Sequence, residues 1–576
     1  MGYHHKCRKS HKPRKTCKCS RCNHKKKNKG QVNMDLIVDV PNSLSITMDI
    51  ELARGWIPPD PIVGASKETV VVMVNSLISI YDKKTLQRTT EPIDGFRFFG
   101  LSEDNFLLGD PWIAYDAYDD RVWLSGFSFP DDVEEAQMNF AVSKNGSPRT
   151  SDDFYFYKQK FNFKFPDYPK IAVDGKALYM GTNDEVAPEY DVVENTIRIY
   201  DKAPLLDGTS PSEISPIHTE IYSSHQADIP SEEYPVSNWW YIPWPAQQTL
   251  RSRCDDVNQM VIAQIVTPDP GKDTGGNQVG ISFFKNVLTD PTLVEVIVEI
   301  PEWNNFGPHK AGFGEPAAEQ PEPWKSNPPP CQCDQDPKPL EPLDSTTGQL
   351  FNPVLYKDSL YFSHIVASDD GERWNLRWYQ FDVSRLIDYE EASLVQYGTL
   401  DQKQYDYLYS SINVDKHQNV AVGFSYSGPY DYVGPAYTGR LKNDPEGTLR
   451  LPFRSVADNN LYYQIAPGGR NRYGDYSGLA IDPCDGETFW YFNQYTYEFP
   501  STISHFGSAW NTKLTAFKIK PCGGTMINNP QIISDKPKSK SVKSLKTIGI
   551  KTENTIEKSD IKISRKERWI NKHLGE

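Results

Sequence analysis

The chain has 576 residues, of which 38% are hydrophobic, 24% charged and 12% aromatic, with 32 Tyr and 13 Trp. That aromatic load excludes a wholly disordered chain, because it can bury ample apolar surface. No run approaches the ~18 apolar residues of a membrane span; the best, Val70 to Tyr81, is broken by Asn75 and Ser76.

The net charge of −14 hides three unlike pieces. Residues 1–30 hold 12 Lys/Arg and no acid, and residues 535–576 hold 12 Lys/Arg against 6 Asp/Glu. The remainder carries 38 basic and 70 acidic residues, a net of −32. Two basic arms on an acidic body offer contact to an anionic partner such as nucleic acid, a membrane surface or an acidic protein. The plainer reading is that the arms are solvated and disordered.

Residues 1–34 form the first arm, and they lack the apolar segment of a secretory signal, so classical secretion is not expected. Cys17, Cys19, Cys22 and His24 offer three thiolates and an imidazole, a crowded set for Zn²⁺, whose usual signature is two separated pairs. Zinc or copper binding, thiol cross-linking between chains and a plain cationic tail all remain open for this segment. Four of the 9 cysteines lie here, too few elsewhere for a disulfide framework to define the fold.

From residue 35 to 520 the sequence predicts strands almost throughout, punctuated by Gly and Pro. An apolar strand, a short turn and a second strand recur from Ile62, Trp112, Ile171, around Cys254, and from Pro353, Ile412 and Leu479. A third, aromatic-rich strand follows many copies, as at Leu77–Asp82, Asp153–Phe161, Thr196–Asp201, Gly280–Asn286, Leu376–Asp382 and Lys513–Ile519. Seven such units predict an all-β propeller of seven blades, with a two-sheet sandwich as the alternative. Residues 301–350, rich in proline, read as a surface insertion that could cross the disc face. Residues 521–576 form the basic tail, with a short helix expected over 564–574.

Three candidate inner strands open on an aspartate: Asp110, Asp167 and Asp475. Carboxylates gathered at the mouth of an axial channel would bind a hard cation such as Ca²⁺ or raise one another's pKa. Each also serves as a simple turn acceptor. Trp239, Trp240 and Trp244 form an aromatic group suited to a sugar ring or a peptide, or to packing between blades.

The phrases Gly109–Phe129, Phe165–Asn183, Leu376–Asp382, Ile412–Ser427, Ala436–Arg440 and Tyr473–Tyr495 resemble a family of propellers related in shape to sialidase-type repeats. That family occurs as modules of secreted bacterial proteins and as stand-alone chains in giant DNA viruses. The resemblance covers about residues 95–520 and implies the fold with little chemistry. It also suggests a virion component, with a cytoplasmic location as the alternative.

A sialidase needs an arginine cluster and a carboxylate-activated tyrosine. Arg121, Arg198, Arg251, Arg253, Arg373, Arg377 and Arg440 are available, but no spacing selects three. The sialidase repeat signature is approached only at Ser368–Trp374, one residue short. No phosphate loop, esterase elbow or zinc-protease helix is present. The expected function is therefore a non-enzymatic scaffold or binding propeller that recognises another protein by its faces, tethered by its arms. The alternative is a glycan-acting hydrolase or lyase at the channel mouth.

Overall fold

The computed structural model describes residues 37–39, 58–101, 109–128, 135–186, 192–225, 242–251, 259–266, 275–304, 317–320, 342–344, 349–456, 463, 471–498, 508–520 and 526–527. They form seven four-stranded antiparallel sheets. Blades 1 to 6 span residues 62–94, 109–162, 164–225, 244–303, 350–400 and 406–454. Blade 7 spans 478–519 and takes Ile37–Asp39 as its outer strand. Each inner strand packs on the next, and blade 7 packs on blade 1, so the ring closes as a propeller.

The hairpin that recurs in the sequence is the inner and second strand of each blade. In blades 2, 3, 6 and 7 a terminal aspartate closes the turn. Asp116 accepts from the N–H of Tyr118 and Asp119 at 2.9 and 3.1 Å. Asp174 accepts from Lys176 and Ala177 at 2.7 and 2.9 Å, and Asp415 from His417 and Asn419 at 2.8 and 2.9 Å. These are Asx turns, which reverse the chain at little steric cost. The unbroken apolar runs follow from burial on both faces: Val70 to Val74 are all buried because blade 1 lies between blades 7 and 2.

Two details differ from expectation. Asp153–Phe161 was expected as a third strand, but Phe154–Asn162 is the fourth strand of blade 2. Glu135–Ser143 takes the third place, paired with Arg121–Ser128 and with Phe154–Asn162. The aromatic content of the outer strand suits a half-exposed position, which sequence pattern alone does not separate from a third strand. The second detail is the seam, where Ile37 pairs with Ile519 and Asp39 with Phe517 across the two ends of the chain. Three residues carry too little pattern to announce such a pairing.

Polar side chains tie the blades together. Gln247 Nε2 donates to the Ile171 carbonyl at 2.7 Å, and Asn413 Nδ2 to the Leu479 carbonyl at 3.0 Å. At the turn end, Lys202 of blade 3 reaches Asp116 of blade 2 at 2.8 Å, with both side chains buried. Lys83 of blade 1 reaches Asp482 of blade 7 at 2.9 Å. From the proline-rich stretch, Ala317–Ala318 pairs with Leu343–Asp344. The N–H of Glu319 donates to Asp406 at 3.0 Å, which sets this piece beside the inner strand of blade 6. The arms over 1–34 and 528–576, with the helix expected at 564–574, lie outside the described residues. No helix among the described residues is long and apolar enough to cross a membrane.

Candidate axial site

Four of the inner strands enter the disc through β-bulges. The register slips between Gly109 and Trp112, Asp167 and Lys170, Phe351 and Val354, and Leu408 and Ser411. Inside each slip one residue is left-handed: Asp110 (φ 48°), Tyr168 (54°), Asn352 (50°) and Tyr409 (46°). Asp60, just before the first inner strand, shares the conformation with φ 48°. Asp and Asn accept this region better than most side chains. After Asp60, Asp110, Tyr168 and Asn352 comes a proline, which has no N–H to offer the ladder.

This register sorts the three aspartates singled out in the sequence. Asp110 is itself the bulge residue, whereas Asp167 precedes the bulge residue Tyr168, and Asp475 lies three residues before the inner strand of blade 7. Carboxylate oxygens of Asp60, Asp110 and Asp475 lie within 4.8 Å of one another. Asp167 stands outside that trio but acts on Asp110 through its charge. Asp60 is the member that sequence reading missed. Its signal was present: Asp60-Pro61 repeats Asp110-Pro111, but the first copy was read from Ile62 onward.

The cluster is tied into the main chain. Asp60 accepts from Asn75 Nδ2 at 2.7 Å and from the N–H of Asp475 at 3.0 Å. Asp110 accepts from the N–H of Tyr168 at 3.1 Å, and its own N–H donates to Asn75 Oδ1 at 3.0 Å. Arg472 forms an ion pair with Asp475.

Beside the carboxylates lies a buried ammonium. Lys170 Nζ sits 3.5 Å from the ring centre of Tyr168, 4.2 Å from Tyr476, 4.9 Å from Trp112 and 5.6 Å from Trp244. Those rings also pack edge to face on one another: Trp112 with Trp244 and with Tyr476 at 5.4 Å each, and Trp244 with Phe351 at 6.4 Å. Blades 2, 3, 4, 5 and 7 thus each contribute an aromatic side chain to a plug around one cation. Trp244, read from sequence as a ligand platform, is fully buried in this plug and its neighbours are other rings. Trp239 and Trp240 lie outside the described residues, as do Cys17, Cys19, Cys22 and His24.

Burial and mutual repulsion set the protonation. Burial, then the charges of Asp475 and Asp110, hold the Asp60 carboxyl well above the usual carboxylate range. Burial, then the charge of Asp167, pushes Asp110 up to about 7, against the opposing pull of Lys170. Burial pushes Lys170 down to about 8, while Asp110, Asp60, Asp475 and Asp167 all favour its charged form. Low local dielectric makes each of these charges felt by the others. Chemically, the trio can share a proton between carboxyls, or present three of the about six to eight oxygens that Ca²⁺ takes.

Among the described residues, the groups that sialidase chemistry needs do not meet here. Arg198 pairs with Asp184 within blade 3, and Arg373 with Glu319 and Asp406 beside blade 6. Arg377 donates to the carbonyls of Pro301 and Glu302, and Arg440 to Gln396 and the carbonyl of Asp444. Arg121 donates to the carbonyls of Asp119 and Asp120, and Arg251 lies against the Tyr118 ring. Arg253 lies outside the described residues. The Tyr168 hydroxyl donates to the Asp475 carbonyl at 3.0 Å, and the Tyr476 hydroxyl to the Pro111 carbonyl at 2.9 Å. Burial pushes both phenols well above their ordinary pKa, the opposite of nucleophile activation. The Ser368–Trp374 phrase forms a turn, with Ser368 Oγ accepting from the N–H of Glu372 and Arg373 at 3.1 and 2.9 Å.

No protein-family model matches the sequence, and no curated protein matches it. Among solved structures, sialidase-type propellers are similar in shape. A neuraminidase-like protein of subtype N11 from A/flat-faced bat/Peru/033/2010 (H18N11) is 8% identical, with a TM-score of 0.33 over 79% of this chain and 97% of that one. The NanB sialidase of Streptococcus pneumoniae is 10% identical, with a TM-score of 0.35 over 83% of this chain and 71% of that one. Hsv2 of Kluyveromyces lactis is 9% identical, with a TM-score of 0.28 over 80% of this chain and all (100%) of that one.

Proposed function

We propose that this chain is a binding propeller, a rigid disc that presents its faces to a protein partner and is tethered by basic arms, rather than a glycan hydrolase. The observation that carries the reading is the axial plug: four rings surround the Lys170 ammonium where a substrate would have to enter. The carboxylates beside it are charge partners of that ammonium and of Arg472, with a proton shared among them, and the plug locks the blades into one body. Basic arms of this kind suit a virion, where polyanion is packed at high density.

The test is turnover. The purified chain is incubated with fluorogenic sialosides and a panel of neutral glycosides at about pH 5 and pH 7.5, beside its Asp110→Asn variant. The expected result is no release above the variant. Release that depends on Asp110 would return the chain to the hydrolases.

A further inference from the structure

Blade 6 carries a cavity well apart from the axial plug. Its third strand, Asp431–Arg440, turns alternate side chains to opposite faces of the sheet. Tyr437 stacks on Phe517 of blade 7 at 4.2 Å, so Ala436 points the other way, toward blade 5. There Ala436 stands opposite Phe424 of the second strand and Arg454 of the fourth, and its small methyl leaves a gap between them. The gap is a cavity of about 210 Å³. Tyr405 and Tyr407 wall it at the entrance of the inner strand, and Leu451 and Pro452 wall it at the outer end. Gln402 and Gln404, from the connection out of blade 5, lie on its rim.

The walls are aromatic and already in place. Tyr405 meets Tyr426 edge to face at 5.7 Å, and Tyr407 meets Phe424 at 5.2 Å. The Arg454 guanidinium lies 4.8 Å from the ring centre of Tyr426. It is held there by Asp431 at 2.6 Å and by the Tyr405 hydroxyl oxygen at 3.1 Å. Polar atoms at the rim are mostly donors. Arg454 Nε and Nη1, Gln402 Nε2 and the Tyr426 hydroxyl meet no acceptor among the described residues. Burial pushes the Tyr426 phenol up to about 12, so it keeps its proton at neutral pH. Acceptors are spent within the protein: Gln402 Oε1 takes the Tyr407 hydroxyl at 2.9 Å, and Asp431 takes Arg454. The Arg454 charge is balanced by Asp431, so the cavity asks for acceptors and apolar surface rather than for an anion.

We propose that this cavity binds a proline-rich segment of a partner protein in the polyproline II conformation. The proposal rests on the reading of the chain as a binding propeller and names the chemistry that its partner presents. A proline offers a carbonyl and no N–H, so a run of prolines brings acceptors with no donors that need partners of their own. Polyproline II has no internal hydrogen bonds and is already stiff, so little order is lost when it docks against aromatic rings. A sugar ring brings hydroxyl donors that this donor-rich rim would leave unpaired. From inner to outer strand the site crosses three strand spacings, ~14 Å, room for about five residues at ~3.1 Å each. Its volume falls below the ~300 Å³ where small-molecule sites begin, and suits a ring or two inserted from a chain lying across it. The net of −32 on the body favours a lysine or arginine beside the proline run.

The probe is a fluorescein-labelled peptide of about eight prolines with a lysine at each end, titrated into the full chain and followed by anisotropy. A glycine–serine peptide with the same lysines is the control. Arg454→Met keeps the contact with Tyr426 but removes the donors, and Leu451→Asp sets a charge on a side chain that is 37% exposed. Tyr426→Phe removes one hydroxyl and leaves the ring. Thermal unfolding of each variant checks that the disc is intact. The wild type should bind the proline peptide saturably and ignore the control. Arg454→Met and Leu451→Asp should each weaken binding about tenfold, and Tyr426→Phe about threefold. No binding by the wild type overturns the proposal, as does equal binding by the folded variants or by the control peptide. Binding of lactose that Arg454→Met abolishes, with the peptide unbound, would give the cavity to a sugar and overturn it. Self-association that Leu451→Asp abolishes, again with the peptide unbound, would give it to a second copy and overturn it too. Glycan turnover would undo the binding-propeller reading while leaving these peptide titrations as they were, so the two failures are separable.

Discussion

Asp110→Asn separates a shared proton from a bound cation at the axis. The folded carboxyl sits at about 7 against an ordinary value of 3.8, because it is buried and faces Asp167 and Asp475. A raised carboxyl pKa favours the fold fully below about pH 3.8, and that contribution is lost as pH rises through about 7. Each unit is worth about 1.4 kcal/mol, so the ionised form carries a penalty of up to ~4 kcal/mol at pH 8 and ~1.5 kcal/mol at pH 5. Asparagine keeps the shape, accepts the Tyr168 N–H, tolerates φ 48° and has nothing to ionise. In urea unfolding, Asp110→Asn should therefore gain roughly 2–3 kcal/mol on the wild type between pH 5 and pH 8. Calcium should move neither midpoint. An equal effect at both pH values would refute the reasoning. So would a calcium-dependent rise at pH 8 in the wild type that the variant lacks, since a divalent cation would hold Asp110 ionised.

Lys170→Met removes the ammonium that offsets the carboxylates, so its loss of stability in urea should be larger at pH 8 than at pH 5. Lys202→Met leaves Asp116 buried without its partner and should cost about 3–5 kcal/mol, most of it recovered by adding Asp116→Asn. Trp244→Ala opens a hole in the plug where five blades meet, and a loss of about 3–5 kcal/mol in the same assay is expected. Deleting residues 1–39, unlike deleting 1–30, strips the outer strand from blade 7 and should raise the unfolding rate measured after a denaturant jump.

The fold was legible because each blade states itself locally. The Asp that ends an inner strand and the turn after it recur at Asp116, Asp174, Asp415 and Asp482, and each accepts from the N–H two residues on. A pattern set by one hairpin's own hydrogen bonds survives in the sequence of that hairpin. The seam at Ile37–Asp39 was not legible for the converse reason: its three residues are specified by an edge built from residues 508–519, and nothing local marks them.

The axial site shows the same division more sharply. Asp110 and Asp475 could be named from sequence, because an acid beside an aromatic or a proline at a strand entrance is a local signal. Lys170 could not. A lysine three residues after a turn acid reads as a solvated strand end, and its full burial arises only because Trp112, Trp244 and Tyr476 arrive from three other blades. Burial is what lowers the lysine's pKa and raises those of Asp60 and Asp110, so the electrostatics of the site belong to the closed ring and to no single repeat. Partial opening of the ring would hydrate all these groups at once, returning each pKa toward its ordinary value. The cluster's protonation and the closure of the propeller are thus one equilibrium, which is why a substitution at Asp110 is expected to read out in the stability of the whole disc.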